Sequence, residues 1–257
     1  MEVRIVGAHQ CETANRRFTT ILVDDVLAVD AGSLAGGMSL ESQLRVQNVL
    51  LTHRHWDHVK DLAGYGYNLF CGHQTVTVYC TEEVRQAVSE YLLNPHVWMD
   101  FFNGPDPAHP VYRHTPVDPG TRFAVGPYQV LSVPVNHSVP ATGYQIGDAA
   151  GRTVYYTSDN GPGCGQFWLA ARPDVLITEC TYSNVEAGAA ARHGHLYPGA
   201  LEEALVTFRD GRGYLPRVIL VHVNPFFEER VAIEVAEVAR RLNASIEVGR
   251  EGLVVSV

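Results

Sequence analysis

Residues 51–60, LTHRHWDHVK, set His53, His55, Asp57 and His58 within a short stretch directly after an apolar run. Imidazole and carboxylate are the side chains that ligate borderline and hard divalent cations, and no cysteine stands among them. Residues two apart on an extended backbone share a side, so His53, His55 and Asp57 converge if the stretch is extended, with His58 beginning the turn into a helix. Four donors so crowded do not easily surround one ion. The natural division gives His53 and His55 to one metal and Asp57 and His58 to a second. Each half then needs further donors. Apolar runs elsewhere end in suitable ones: VLSVPVNH at His137, VYYTSD at Asp159 and VILVH at His222. His137 completes the first site and His222 the second, while the two oxygens of Asp159 bridge both ions. Zinc is the default metal for a nitrogen-rich site, with manganese or iron as substitutes.

Each residue also has a plainer reading. The cluster could be a solvated polar loop opening a helix, and a lone histidine such as His137 or His222 is often satisfied by a backbone carbonyl. Asp159 precedes Asn-Gly-Pro-Gly, where aspartate commonly caps a turn. Their shared placement after apolar strands favours metal binding. Cys164 and Cys180 lie near these segments, but buried thiol is the usual fate of cysteine, and neither is assigned chemistry. Trp98, Phe101 and Phe102, followed by the Pro-rich NGPDPAHP, are candidates for a lid or a subunit contact; packing under a long loop is the plainer alternative.

The elements that must position these donors follow from periodicity. Strands are expected at VRIVG, TTILVDD, VLAVDAG, QNVLLTH, VTVYC, YQVLSVPVNH, ATGYQIG, RTVYYTSD, DVLITEC, RVILVHV and GLVVSV, with a turn near Asp24 and Asp25. Helices are expected at EEVRQAVSEYLL, with Thr81 as N-cap, at LEEALVTFR and at EERVAIEVAEVARRL. Strands interspersed with helices indicate an α/β layered architecture, and loops leaving one rim of such a sheet are the usual place for a site.

The 257 residues show no repeat, linker or low-complexity tract, so a single domain over 1–257 is expected. No secretory leader or membrane-spanning run is evident, and the odd, scattered set of five cysteines argues against a disulfide framework. A cytoplasmic protein with no membrane partner is the expectation. A net charge of -9, from 19 basic and 28 acidic residues, makes long nucleic acid an unlikely partner. A small anion remains compatible where metal ions supply positive charge.

With its downstream donors, the H-x-H-x-D-H pattern of His53 to His58 resembles the metallo-β-lactamase fold superfamily, along essentially the whole chain from VDAGS onward. The resemblance implies an αββα sandwich, two mixed sheets between helices, with two metals at one edge. TSDNGPG, GHLYP, HVNP and LLNPHVWMDF are similar to the class II cyclic-nucleotide phosphodiesterases. That group usually has Leu where Trp56 stands and Lys where Asn224 stands. The transfer RNA 3′-processing nucleases resemble the chain more distantly; TECT, residues 178–181, stands where their motif reads His-Glu-Ala-Thr.

The implied chemistry is a two-metal hydrolysis in which a bridging hydroxide attacks phosphorus. A leaving alkoxide needs a proton, and His195 in HGHLYP is the candidate acid, matching the histidine of the nuclease motif. Asp57 could also orient or accept a proton while ligating. The expected substrate is a small phosphodiester, cyclic or nucleotide-like. Hydrolysis of lactone, thioester or other carboxylic ester bonds, an RNA 3′-processing endonuclease, and a non-catalytic metal-stabilised binding module are the alternatives. Subunit number is not readable, and a homodimer stays open.

Overall fold

The computed structural model describes residues 1–257. In chain order the strands are β1 (Glu2–Gly7), β2 (Thr20–Val23), β3 (Leu27–Val29), β4 (Asn48–Leu50), β5 (Val76–Cys80), β6 (Pro105–Asp106), β7 (His109–Pro110), β8 (Tyr112–Pro116), β9 (Arg122–Val125), β10 (Tyr128–Pro134), β11 (Thr142–Gly147), β12 (Thr153–Tyr156), β13 (Val175–Glu179), β14 (Arg217–Val221), β15 (Ile246–Val248) and β16 (Val254–Ser256). The helices are α1 (Leu40–Arg45), α2 (Trp56–Val59), α3 (Leu62–Cys71), α4 (Glu82–Ala87), α5 (Gly165–Trp168), α6 (Ala187–His193), α7 (Pro198–Arg212) and α8 (Glu228–Leu242). The chain forms an α/β fold with two mixed sheets and flanking helices, as expected. It divides into two compact units, one of Met1–Gly7, Thr13–Asp118 and Glu251–Ser256, the other of Ala8–Glu12, Pro119–Arg250 and Val257.

The N-terminal unit carries a sheet of order β16-β1-β2-β3-β4-β5-β8. Its inner strands β2 and β3 are buried at every residue, which is why TILV and LAV read as unbroken apolar runs. The hairpin joining them turns on Asp24 and Asp25, both in left-handed conformation (φ 48 and 58), the geometry that matches the strand twist. β3, β4, β5 and β8 run parallel, so their carboxyl ends share one edge. The core gathers Leu22, Val49, Leu51, Leu62, Tyr65, Val78 and Phe101. Phe101 and Phe102 are buried in it while Trp98 is exposed, so the first two are packing residues rather than a lid.

Thr81 caps α4 as expected, its Oγ1 accepting from Val84 N at 3.3 Å, but the turns after Ala87 widen into a π-helical segment, Val88–Leu92. The short strands β8 and β9 and helices α1, α3 and α6 have too little periodic signal to be expected from the sequence.

The second unit carries the order β15-β14-β13-β12-β11-β10-β9. β12 to β15 are parallel, and β10 runs in their direction because two antiparallel pairings separate it from β12. β13 is buried throughout. Trp168, Leu176, Leu201, Leu205, Phe208, Leu220 and Val231 form its core. α8 spans the expected residues, with Val231, Val235 and Val238 on the buried face, acidic residues in the first turn and arginines in the last, which suits the helix dipole. No helix is long and apolar enough to cross a membrane.

Candidate metal centre

The predicted donors do not end strands; they occupy the loops just beyond them. β4 stops at Leu50, and a loop carries His53 on to His55, the extended N-cap of α2 (φ -64, ψ 148). Asp57 and His58 already belong to α2. The extended stretch expected to carry Asp57 therefore ends two residues early, and the carboxylate joins its neighbours from a helical turn. In this unit His53 Nε2 lies 3.1 Å from His55 Nδ1, the rings of His53 and His58 have centroids 4.2 Å apart, and His58 Nε2 is 3.8 Å from Asp57 Oδ2.

What aims these rings is Asp30, a fully buried carboxylate just past β3 and itself left-handed (φ 59). Its Oδ2 accepts from His58 Nδ1 at 2.7 Å, and it also accepts the Thr52 hydroxyl at 2.9 Å. With its proton committed to Asp30, Thr52 Oγ1 accepts from His53 Nδ1 at 3.0 Å. Both histidines thus carry hydrogen on Nδ1 and present the Nε2 lone pair as the one a cation would take. Gly32 lets this loop close: a Cβ there would meet the Asp57 carbonyl oxygen at 2.1 Å.

The second unit repeats the wiring with residues from separate loops. His137 follows β10, Asp159 follows β12, and His222 follows β14 in a left-handed conformation (φ 58). Asp159 Oδ2 lies 3.5 Å from His222 Nε2, 3.9 Å from His137 Nε2 and 4.0 Å from His195 Nδ1. Glu179, buried at the end of β13, takes the place that Asp30 has in the first unit. It accepts from His195 Nδ1 at 2.9 Å and from Thr181 Oγ1 at 2.5 Å, and Thr181 Oγ1 accepts from His222 Nδ1 at 2.8 Å. Asn160 N and Leu196 N also donate to Glu179. His137 Nδ1 donates to the Gly194 carbonyl at 2.9 Å, and burial holds its pKa below the usual value, favouring the neutral, ligating form.

The donor chemistry fits divalent cations. Two nitrogens held 2.0–2.1 Å from a tetrahedral ion stand about 3.3 Å apart. The spacing between the His53 and His55 nitrogens and that between the His222 nitrogen and the Asp159 oxygen lie close to that figure. Within the second unit, Asp159, His195 and His222 form a cluster able to hold an ion.

Sequence reasoning assigned no role to Asp30, Thr52, Glu179 or Thr181, although VDAGS and TECT were singled out. The available signal was a carboxylate closing an apolar strand. His193 lies at the rim, its Nδ1 3.1 Å from the Tyr182 hydroxyl, while His109 and His114 pair with Asp106 and the Cys80 carbonyl away from the cluster. Burial pushes the thiols of Cys164 and Cys180 well up, so both stay protonated.

Comparison with known proteins agrees with this architecture. The model of the family described as the beta-lactamase superfamily domain matches residues 19–223. A ribonuclease Z of Leuconostoc mesenteroides is 22% identical over 314 residues, covering 98% of this chain and 95% of the relative. Among solved structures, unliganded yeast PDE1 is similar with a TM-score of 0.82 at 15% identity, over 100% of this chain and 99% of that one. The metallo-beta-lactamase fold protein YhfI from Bacillus subtilis is similar with a TM-score of 0.76 at 19% identity, over 99% and 98%. At such identities the two structures speak for the fold alone. The family model spans most of the chain, from β2 to the loop after β14, and on that ground the protein belongs to the beta-lactamase superfamily domain family, as a metallo-hydrolase of that fold.

Proposed function

We propose that residues 1–257 act as one domain that hydrolyses small phosphodiesters at a pair of divalent cations, zinc by preference. In this reading His53, His55 and His137 hold one ion, Asp57, His58 and His222 hold the other, and Asp159 serves both. When bound, the cations supply an ionised water at neutral pH and offset the charge that builds on the attacked phosphorus. Every other part falls to the chain's own side chains. Asp30 and Glu179 hold the imidazoles in one tautomer and orientation, so little reorganisation is needed at the moment of reaction.

The observation that carries the choice of phosphodiester is the His195–Glu179 pair. An alkoxide leaving group needs a proton, and an imidazole anchored through Nδ1 can deliver one from Nε2 while the carboxylate stabilises its charged form. A thioester needs such a donor less, because a thiolate is a weak enough base to leave unprotonated. The similarity to a protein named ribonuclease Z points to the same bond type, since RNA is a phosphodiester. The net charge of -9 favours a small diester over a long RNA. Five cysteines without a disulfide suit a reducing compartment, the cytoplasm.

The test is turnover of bis(p-nitrophenyl) phosphate beside a lactone and a thioester panel, with metal content measured on the same preparation. Preferred cleavage of the diester with about two ions per chain supports the reading. Preferred cleavage of the carboxylic esters assigns the second one.

A further inference from the structure

Next to the metal donors the N-terminal unit contains a cavity of about 530 Å³, lined in part by Arg54, Trp56, Val59, Gln86, Tyr91 and Leu92. That volume lies in the range of small-molecule sites. Two large rings on its wall are open to solvent, Trp56 at 61% and Tyr91 at 75% relative exposure, whereas Tyr65, Tyr112 and Phe101 of the same unit are fully buried. Trp56 is the first residue of α2 and stands between His55 and Asp57 in the chain, so a group resting on its indole is tethered beside two donors. Tyr91 sits on the π-helical segment Val88–Leu92, a widened turn of the kind that recurs at functional sites.

The charge on the wall narrows the ligand. Arg54 is ion-paired with Glu83, which neutralises the one cation on the wall; Glu90 leaves the wall net acidic, and Gln86 adds a neutral amide. Neither pattern selects an anion. Exposed aromatic faces on a wall that repels anions select flat rings without negative charge.

Building on the hydrolase reading above, we infer that this cavity receives an uncharged planar aromatic group of the substrate, a nucleobase or an aryl ring, and that Trp56 and Tyr91 determine specificity for it. Binding energy gained on the ring then positions the ester over the donors, away from the reacting atoms.

The experiment is calorimetric binding of phenylphosphonate and methylphosphonate to the zinc-loaded chain and to Trp56→Ala, Trp56→Phe and Tyr91→Ala. The expected result is a preference for phenylphosphonate of roughly tenfold in the wild type. Trp56→Ala should remove most of it, Tyr91→Ala should lower it, Trp56→Phe should keep most of it, and methylphosphonate affinity should not move. Equal affinities in the wild type, a preference that survives Trp56→Ala, or absence of binding by both ligands overturns the inference. So does an oligomer that dissociates on Trp56→Ala with the preference intact, because the rings would then be a contact between copies. Diester turnover is scored separately: discrimination without hydrolysis refutes the hydrolase reading and keeps the cavity, and hydrolysis without discrimination does the reverse.

Discussion

The two clusters of donors use the same wiring in opposite relations to the chain. In the N-terminal unit the candidate donors are neighbours, His53 to His58, and one buried carboxylate just past β3, Asp30, holds His58 directly and His53 through Thr52. In the second unit the candidate donors come from loops far apart, and Glu179 holds His195 directly and His222 through Thr181. A carboxylate, a threonine hydroxyl and two Nδ1 atoms recur in both. The difference teaches that what must be kept is the orientation of imidazoles, whether one short segment or several strand ends supplies them.

The sharpest way to break the comparison is through Asp159, which has no counterpart in the first cluster because it lies near three imidazoles at once. Asp159→Ala is expected to lower diester turnover more than ~100-fold, beyond the loss typical of a supporting residue. Steady-state kinetics with metal analysis would check it; an unchanged rate would remove Asp159 from the site.

Next come the two carboxylates. Asp30→Asn and Glu179→Gln should each cost roughly 10- to 100-fold in activity or metal affinity. The two should differ: Asp30→Asn should weaken metal binding most, because both of its histidines are proposed ligands, whereas Glu179→Gln should also lower turnover of an alkyl diester at saturating metal, because His195 loses its anchor. Equal effects on metal affinity and none on saturated turnover would strip His195 of its role as acid.

A smaller effect is expected of Thr52→Val and Thr181→Val, each of which removes one hydroxyl relay and leaves the direct carboxylate–histidine bond. A loss of ~10-fold or less in metal affinity is predicted, similar for the two. A large difference would show that the shared wiring is only apparent. Gly32→Ala tests packing alone. The added methyl would meet the Asp57 carbonyl, so a loss of about 1–3 kcal/mol is expected, read as a fall in Tm of the metal-free chain.

The same contrast explains what could be read in the sequence. His53 to His58 announce themselves because donors two and three apart share one short segment. His137, Asp159 and His222 were legible for a different reason: parallel strands deliver their carboxyl ends to one edge, so donors placed just after apolar runs become neighbours. Asp30 and Glu179 were not assigned because a carboxylate closing an apolar strand does not say which side chain it holds, a relation of distance that spacing does not encode. The helical start of α2 at Trp56 was missed by the extended reading, since a four-residue helix has no periodicity to detect. The long α8 and the buried β13 came through because full amphipathic or apolar patterns leave little choice of element.

Anomalous diffraction at the zinc edge from crystals of the zinc-loaded chain tests the central claim most directly. Two peaks roughly 3.5–4 Å apart are predicted, one within bonding reach of His53, His55 and His137, the other of Asp57, His58 and His222, with Asp159 touching both. A single peak, or two peaks confined to one cluster with the other cluster's histidines turned away, would contradict it.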